Sequence, residues 1–198
     1  MMGIQKLIVL FLGLVFEAGV VFGQQHILYF TNGSFEGERQ DAVVPSGWNA
    51  CELGTTPDIL PGFWGVYQEA SDGDTYVGLI TRGDGSWESI GQRLSHSLKL
   101  LECYKFTVDL AQSKTYADYN EPVRLMIWGG SGRCNKEQLL FQSKKIDHNY
   151  WKTYEVKFNV KVPINYIIFE AYFEEKGKVV RGNILIDNLS PIKMCPRA

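Results

Sequence analysis

The sequence predicts an all-β chain folded as an antiparallel β-sandwich, and three observations carry that prediction. Beyond residue 25, apolar side chains recur at every second position, the period of a strand with one buried face. Glycine- and aspartate-rich turns punctuate these runs, as hairpin-linked strands require. No later window of useful length carries the helical period, and no low-complexity linker or internal repeat divides the chain.

Taken in order, residues 1–23 read as a secretory signal peptide. Lys6 supplies the positive region, residues 7–16 the apolar core, and Val21-Phe22-Gly23 the site of a cut ahead of Gln24. The apolar run is too short for a good membrane span. Residues 24–198 then form one domain, long enough to bury a real core. The stretch 37–71 holds Pro45, Pro57, Pro61 and several glycines among Trp48, Phe63, Trp64 and Tyr67. It reads as irregular structure pinned by rings, covering a sandwich edge or building a binding wall. Trp48 reads as a core plug. Strands follow at 104–110, 123–128, 153–160 and 167–174. In the first of these Tyr104, Phe106, Val108 and Leu110 share a face opposite Lys105, Thr107 and Asp109. Turns are expected at 71–74, 82–85, 129–132 and 176–177.

Four cysteines follow the leader: Cys51, Cys103, Cys134 and Cys195. An even count in an exported chain implies two disulfides. Spacing alone leaves three pairings open. If 104–110 and 123–128 are successive antiparallel strands, Cys103 and Cys134 meet at one end, so the expected pairs are Cys103–Cys134 and Cys51–Cys195. Formal net charge is −2 with both signs scattered, which offers no basic stripe for nucleic acid.

The two ends carry matched motifs, Asn32-Gly33-Ser34-Phe35-Glu36 and Ile184-Leu185-Ile186-Asp187-Asn188-Leu189. In a sandwich whose first and last strands lie together, Glu36 and Asp187 approach one another. Buried carboxylates repel unless a cation or a shared proton joins them. Calcium, which takes carboxylate and carbonyl oxygens, is the expected cation.

With these motifs, together with Gly47-Trp48, Asp72-Gly73-Asp74-Thr75-Tyr76-Val77-Gly78-Leu79, Trp87-Glu88-Ser89-Ile90-Gly91-Gln92-Arg93-Leu94 and Cys103-Tyr104-Lys105-Phe106-Thr107-Val108, the chain resembles the galactose-binding-like jelly roll. That is the fold of many carbohydrate-binding modules. It also resembles jelly-roll modules of exported bacterial proteins with OmpA-like or gliding-associated domains. The resemblance covers nearly the whole chain after the leader, and this fold hosts many functions. It implies a structural calcium held by Glu36 and Asp187, with oxygens from the segments around Asn32 and Asp74. Asn188 stands where many members carry a second acid, which lowers the charge of such a site.

Sugar recognition uses flat rings against pyranose faces and polar groups for hydroxyls. Trp128, Arg124, Asp109 and Glu170 lie at outward positions of the central strands, and are expected to line one concave sheet. Trp64, Tyr67, Trp87, Tyr116 and Tyr119 lie in loops able to close its ends. The plainer alternative for Asp109 and Arg124 is an exposed cross-strand ion pair. No histidine stands in a serine or cysteine triad motif, and adjacent Glu174 and Glu175 point to opposite faces of a strand, so no catalytic constellation is read. Arg82-Gly83-Asp84 matches an integrin-type tripeptide but is first a hairpin turn, and the sequons at Asn32 and Asn188 fall inside the end motifs. The expected function is an exported, non-catalytic carbohydrate-binding module with structural calcium, periplasmic, cell-surface or secreted. The alternative is an envelope or cell-surface module whose partner is another protein.

Overall fold

The computed structural model describes residues 27–173 and 178–196. The expected leader, Glu174, Glu175 and the 176–177 turn lie outside the described residues. Twelve strands are described: β1 (Asn49–Ala50), β2 (Asp58–Leu60), β3 (Tyr76–Thr81), β4 (Ser89–Leu98), β5 (Cys103–Ala111), β6 (Glu121–Pro122), β7 (Arg124–Gly130), β8 (Gln138–Gln142), β9 (Lys152–Asn159), β10 (Ile164–Tyr172), β11 (Gly182–Asp187) and β12 (Lys193–Met194). They form two sheets. The five-stranded sheet runs β1-β4-β10-β7-β8. The seven-stranded sheet runs β12-β5-β11-β3-β2, with β9 alongside β5 and β6 alongside β11. Every pairing is antiparallel except the short β6 with β11. Among the described residues no helix is long and apolar enough to cross a membrane.

Alternation in the sequence becomes the core between the sheets. Phe106, Val108 and Leu110 of β5, Ile184 and Ile186 of β11, and Val77 and Leu79 of β3 face Ile90, Leu94, Leu125, Ile127, Ile167 and Phe169 of the other sheet. Each fully buried aliphatic side chain there contributes about 1.5–3 kcal/mol. Trp48 fills this core as read, with its ring 5.1 Å from Phe35 and edge-on to Phe169 at 5.4 Å. A second, smaller cluster lies on the outer face of the seven-stranded sheet. There Leu60, Val66, Tyr76, Ala111, Tyr116 and Leu185 pack together. The proline- and ring-rich segment 37–71 supplies much of this cover through Leu60 of β2, Phe63, Val66 and Ala70.

The disulfides are Cys51–Cys134 and Cys103–Cys195, which corrects both expected pairs. The chain crosses between sheets after β6, so β5 and β7 belong to opposite sheets and are not hairpin partners. Cys103 instead opens β5 beside β12, where the Cys195 amide donates to its carbonyl at 2.9 Å. Cys51 follows β1 at the β4 edge, and its sulfur lies where a Cβ on Gly91 would come within 2.8 Å.

Candidate functional site

The first and last described segments meet. Leu28 and Ile192 exchange backbone hydrogen bonds at 3.0 and 2.7 Å, and the Leu189 amide donates to Gly33 at 3.0 Å. Between them the turn 71–75 is gripped from two sides. Asp187 Oδ2 accepts the amides of Ser71 and Asp72 at 2.8 and 3.0 Å. Glu36 Oε1 accepts those of Asp74 and Thr75 at 3.1 and 3.3 Å. Gly73 takes φ +66°, and a Cβ there would fall 2.1 Å from Glu36 Oε1, so any side chain would be strained and would displace the Glu36 carboxylate from this turn. Asn32 braces its own turn: its Nδ2 donates to the Glu36 carbonyl and its Oδ1 accepts the Glu36 amide. Burial, reinforced by the Asp72 charge, pushes the Asp187 carboxyl up to about 7 against the pull of its amide donors. Asp109 stands opposite Asp187 in register. Its Oδ2 accepts from Ser71 Oγ and Asn188 Nδ2, while its buried Oδ1 has no partner. Among the described residues, no three acidic, histidine or cysteine side chains converge as a metal-ligand cluster.

The residues expected to share one concave sheet are divided. Asp109 belongs to β5 of the seven-stranded sheet, whereas Arg124, Trp128 and Glu170 lie in the five-stranded sheet. One sheet face therefore cannot present all four, and Asp109 cannot pair with Arg124 across neighbouring strands. The reason is the same crossover that corrected the disulfides. Arg124 donates to the Ser143 carbonyl at 2.9 Å. Glu170 is buried and paired with Lys136, which also binds Glu52. Trp128 is half-buried, and its Nε1 is enclosed without a partner. The Cys51–Cys134 bridge and Lys136 roof part of this outer face. Trp87 is half-buried and edge-on to Tyr172 at 5.5 Å.

Of the residues expected to form the sugar site, Trp64, Tyr116 and Tyr119 line the cleft of ≈ 380 Å³ on the outer side of the seven-stranded sheet, and Trp128, Arg124, Asp109, Glu170, Tyr67 and Trp87 do not. Trp64 is 52% exposed and sits at φ +54°. Its turn is bolted to the loop carrying Tyr116 and Tyr119. The Ala117 amide donates to the Trp64 carbonyl at 3.0 Å, and Thr115 Oγ1 donates to the Gly65 carbonyl at 2.6 Å. Asp58, Arg82 and Arg181 complete the polar lining. Asp58 accepts the Tyr116 hydroxyl and the Ala42 amide. Burial pushes its carboxyl above the usual range, with those hydrogen bonds opposing. Arg82 is held 2.5 Å from the buried Glu88, whose other donors include the amides of Thr56 and Ile80. The Arg181 guanidinium lies 4.5 Å from the centre of the Tyr119 ring.

The inward turn of Arg82 also settles the tripeptide: Arg82 is committed to Glu88, and Asp84 to Ser86. Sequence reading missed Asp58, Arg82 and Arg181 as cleft residues. The usable signal was the charge itself, since an acid in a short strand flanked by prolines and an arginine six residues before a glutamate both ask for partners.

No protein-family model matches the chain, and no curated protein matches it by sequence. Solved structures do resemble it. A cyclase from Fischerella sp. TAU, in complex with 4-(1H-indol-3-yl)butan-2-one, is 14% identical with a TM-score of 0.59, covering 87% of this chain and 99% of that one. The Stig cyclase Fisc of the same organism is 13% identical with a TM-score of 0.57, covering 88% and 100%. The CBM22-1 xylan-binding domain of Xyn10C from Paenibacillus barcinonensis is 15% identical with a TM-score of 0.52, covering 88% and 97%. At such identities the likeness is one of fold alone, that of a jelly-roll β-sandwich.

Proposed function

We propose that this chain is an exported, non-catalytic carbohydrate-binding module whose ligand lies in the cleft beside Trp64. The observation that carries the reading is an exposed tryptophan at the rim of a preformed ≈ 380 Å³ cleft with fixed polar groups inside it. A ring for the pyranose face and a few convergent donors and acceptors are what sugar binding needs. The xylan-binding domain with the same fold supports the reading. So does the pair of disulfides, which belongs to an oxidising compartment, consistent with the leader read from residues 1–23.

Calcium enters as part of this proposal. Hard oxygen donors fit it, and the buried, unpartnered Asp109 Oδ1 beside Asp187 is a place where positive charge is wanted. Glu36 and Asp187, with oxygens near Asn32 and Asp74, would hold the ion. Its chemistry there is structural, tying turn 71–75 to both ends of the chain.

The test is a glycan array followed by calorimetry on the best ligand. Trp64→Ala removes binding with little change in melting temperature, and Trp128→Ala leaves it intact. Loss only in Trp128→Ala moves the ligand to the five-stranded sheet. A blank array with one envelope protein retained on the immobilised chain favours the protein-interaction alternative. Sugar released from polysaccharide, and abolished in Asp58→Asn, overturns the non-catalytic reading.

A further inference from the structure

Charge in the cleft is unevenly answered. Two guanidinium groups, Arg82 and Arg181, and one carboxyl, Asp58, line it. Arg82 is neutralised from behind by Glu88. Asp58 spends its oxygens on Tyr116 and Ala42. Arg181 forms no ion pair among the described residues. It is nevertheless positioned. The Tyr119 ring lies under its guanidinium, its stem passes where a Cβ on Gly83 would come within 3.5 Å, and its carbonyl accepts the Glu121 amide at 3.2 Å. A guanidinium stacked on a ring keeps its planar fork of donors open at the edge. An arginine held in place and without an acid partner among the described residues is suited to a carboxylate or another planar anion.

We propose that the cleft is specific for an acidic glycan, a uronic-acid saccharide whose ring rests on Trp64 while its carboxylate is taken by the fork of Arg181. This rests on the carbohydrate-binding reading above and narrows it. Asp58 and Tyr116, bonded to each other, form the polar wall of the cleft behind the sugar. Arg82 serves the wall and not the ligand, because its release would strand Glu88.

The experiment compares a galacturonic acid oligomer with the same oligomer fully methyl-esterified, by calorimetry on the full chain. Esterification removes the charge and keeps the ring. The acid form is expected to bind about tenfold or more tightly than the ester, the worth of one charge-assisted contact. Added salt should narrow that gap. Arg181→Ala should erase it without moving the melting temperature, since Arg181 is exposed, and Arg181→Lys should recover only part of it. Equal affinity for acid and ester, abolished by Trp64→Ala, overturns the anionic specificity and leaves the glycan reading standing. Absence of binding to either oligomer, with a blank array of acidic and neutral glycans, overturns both.

Discussion

Asp187 is buried and has no basic partner among the described residues, so its carboxyl is pushed up to about 7 against the pull of three amide donors. In the unfolded chain the same carboxyl ionises near 3.8. The folded state therefore binds the extra proton between those values, and its contribution is full below about pH 4 and lost as pH rises through 7. In chelator, urea melts should show stability falling by an amount on the order of a few kcal/mol across that window, and Asp187→Asn should flatten the profile. A steady or rising profile in the wild type would contradict this reading of the burial. Gly73→Ala acts on the same turn by a different route. It places a Cβ on Glu36 at a positive φ, and should cost about 1–3 kcal/mol by strain alone, read as a lowered denaturation midpoint. The sequence made Glu36 and Asp187 visible because their motifs stand at opposite ends of the chain. It hid Asp109 as their neighbour, since that role depends on β5 lying beside β11 and not on any local pattern.

Strands were legible because a period of two survives in one dimension. The alternation at 104–110 and 153–160 corresponds to β5 and β9, and the described part of 167–174 to most of β10. Pairing between strands was not legible, because sequential runs can be hairpins or can cross to the facing sheet, and both keep the same alternation. That ambiguity produced the two wrong disulfide pairs and the grouping of Asp109 with Trp128. Peptide mapping of the non-reduced protein should recover Cys51 linked to Cys134 and Cys103 linked to Cys195. Each bridge closes a long loop, with separations of 83 and 92 residues. On a chain-entropy account each is worth about 4.5 kcal/mol. Replacing Cys103 and Cys195 together by alanine should lower the melting temperature and loosen β12 from β5, seen as faster amide exchange at Met194 and Lys193.

At the scale of the molecule, the fold could be read from ordered weak motifs, but the cleft could not. It is assembled from segments around residues 42, 58, 64, 82, 116–119 and 181, and no two of its charged groups are close in sequence. If calcium ties the ends to turn 71–75, adding it should raise the melting temperature, more at pH 8 than at pH 5, because the ion competes with the proton on Asp187. Chelator should reverse the rise, and Asp187→Asn should remove the response. The pairing of the first and last described segments carries a separate consequence. With Leu28 bonded to Ile192, residues 27 and 196 can be joined by a short glycine linker and the chain reopened at the exposed Gly83–Asp84 tip. Such a circular permutant keeps every strand neighbour and both bridges while changing which residue the ribosome makes first. The same closeness lets the whole sandwich be spliced into a surface loop of a host protein without prying that loop apart.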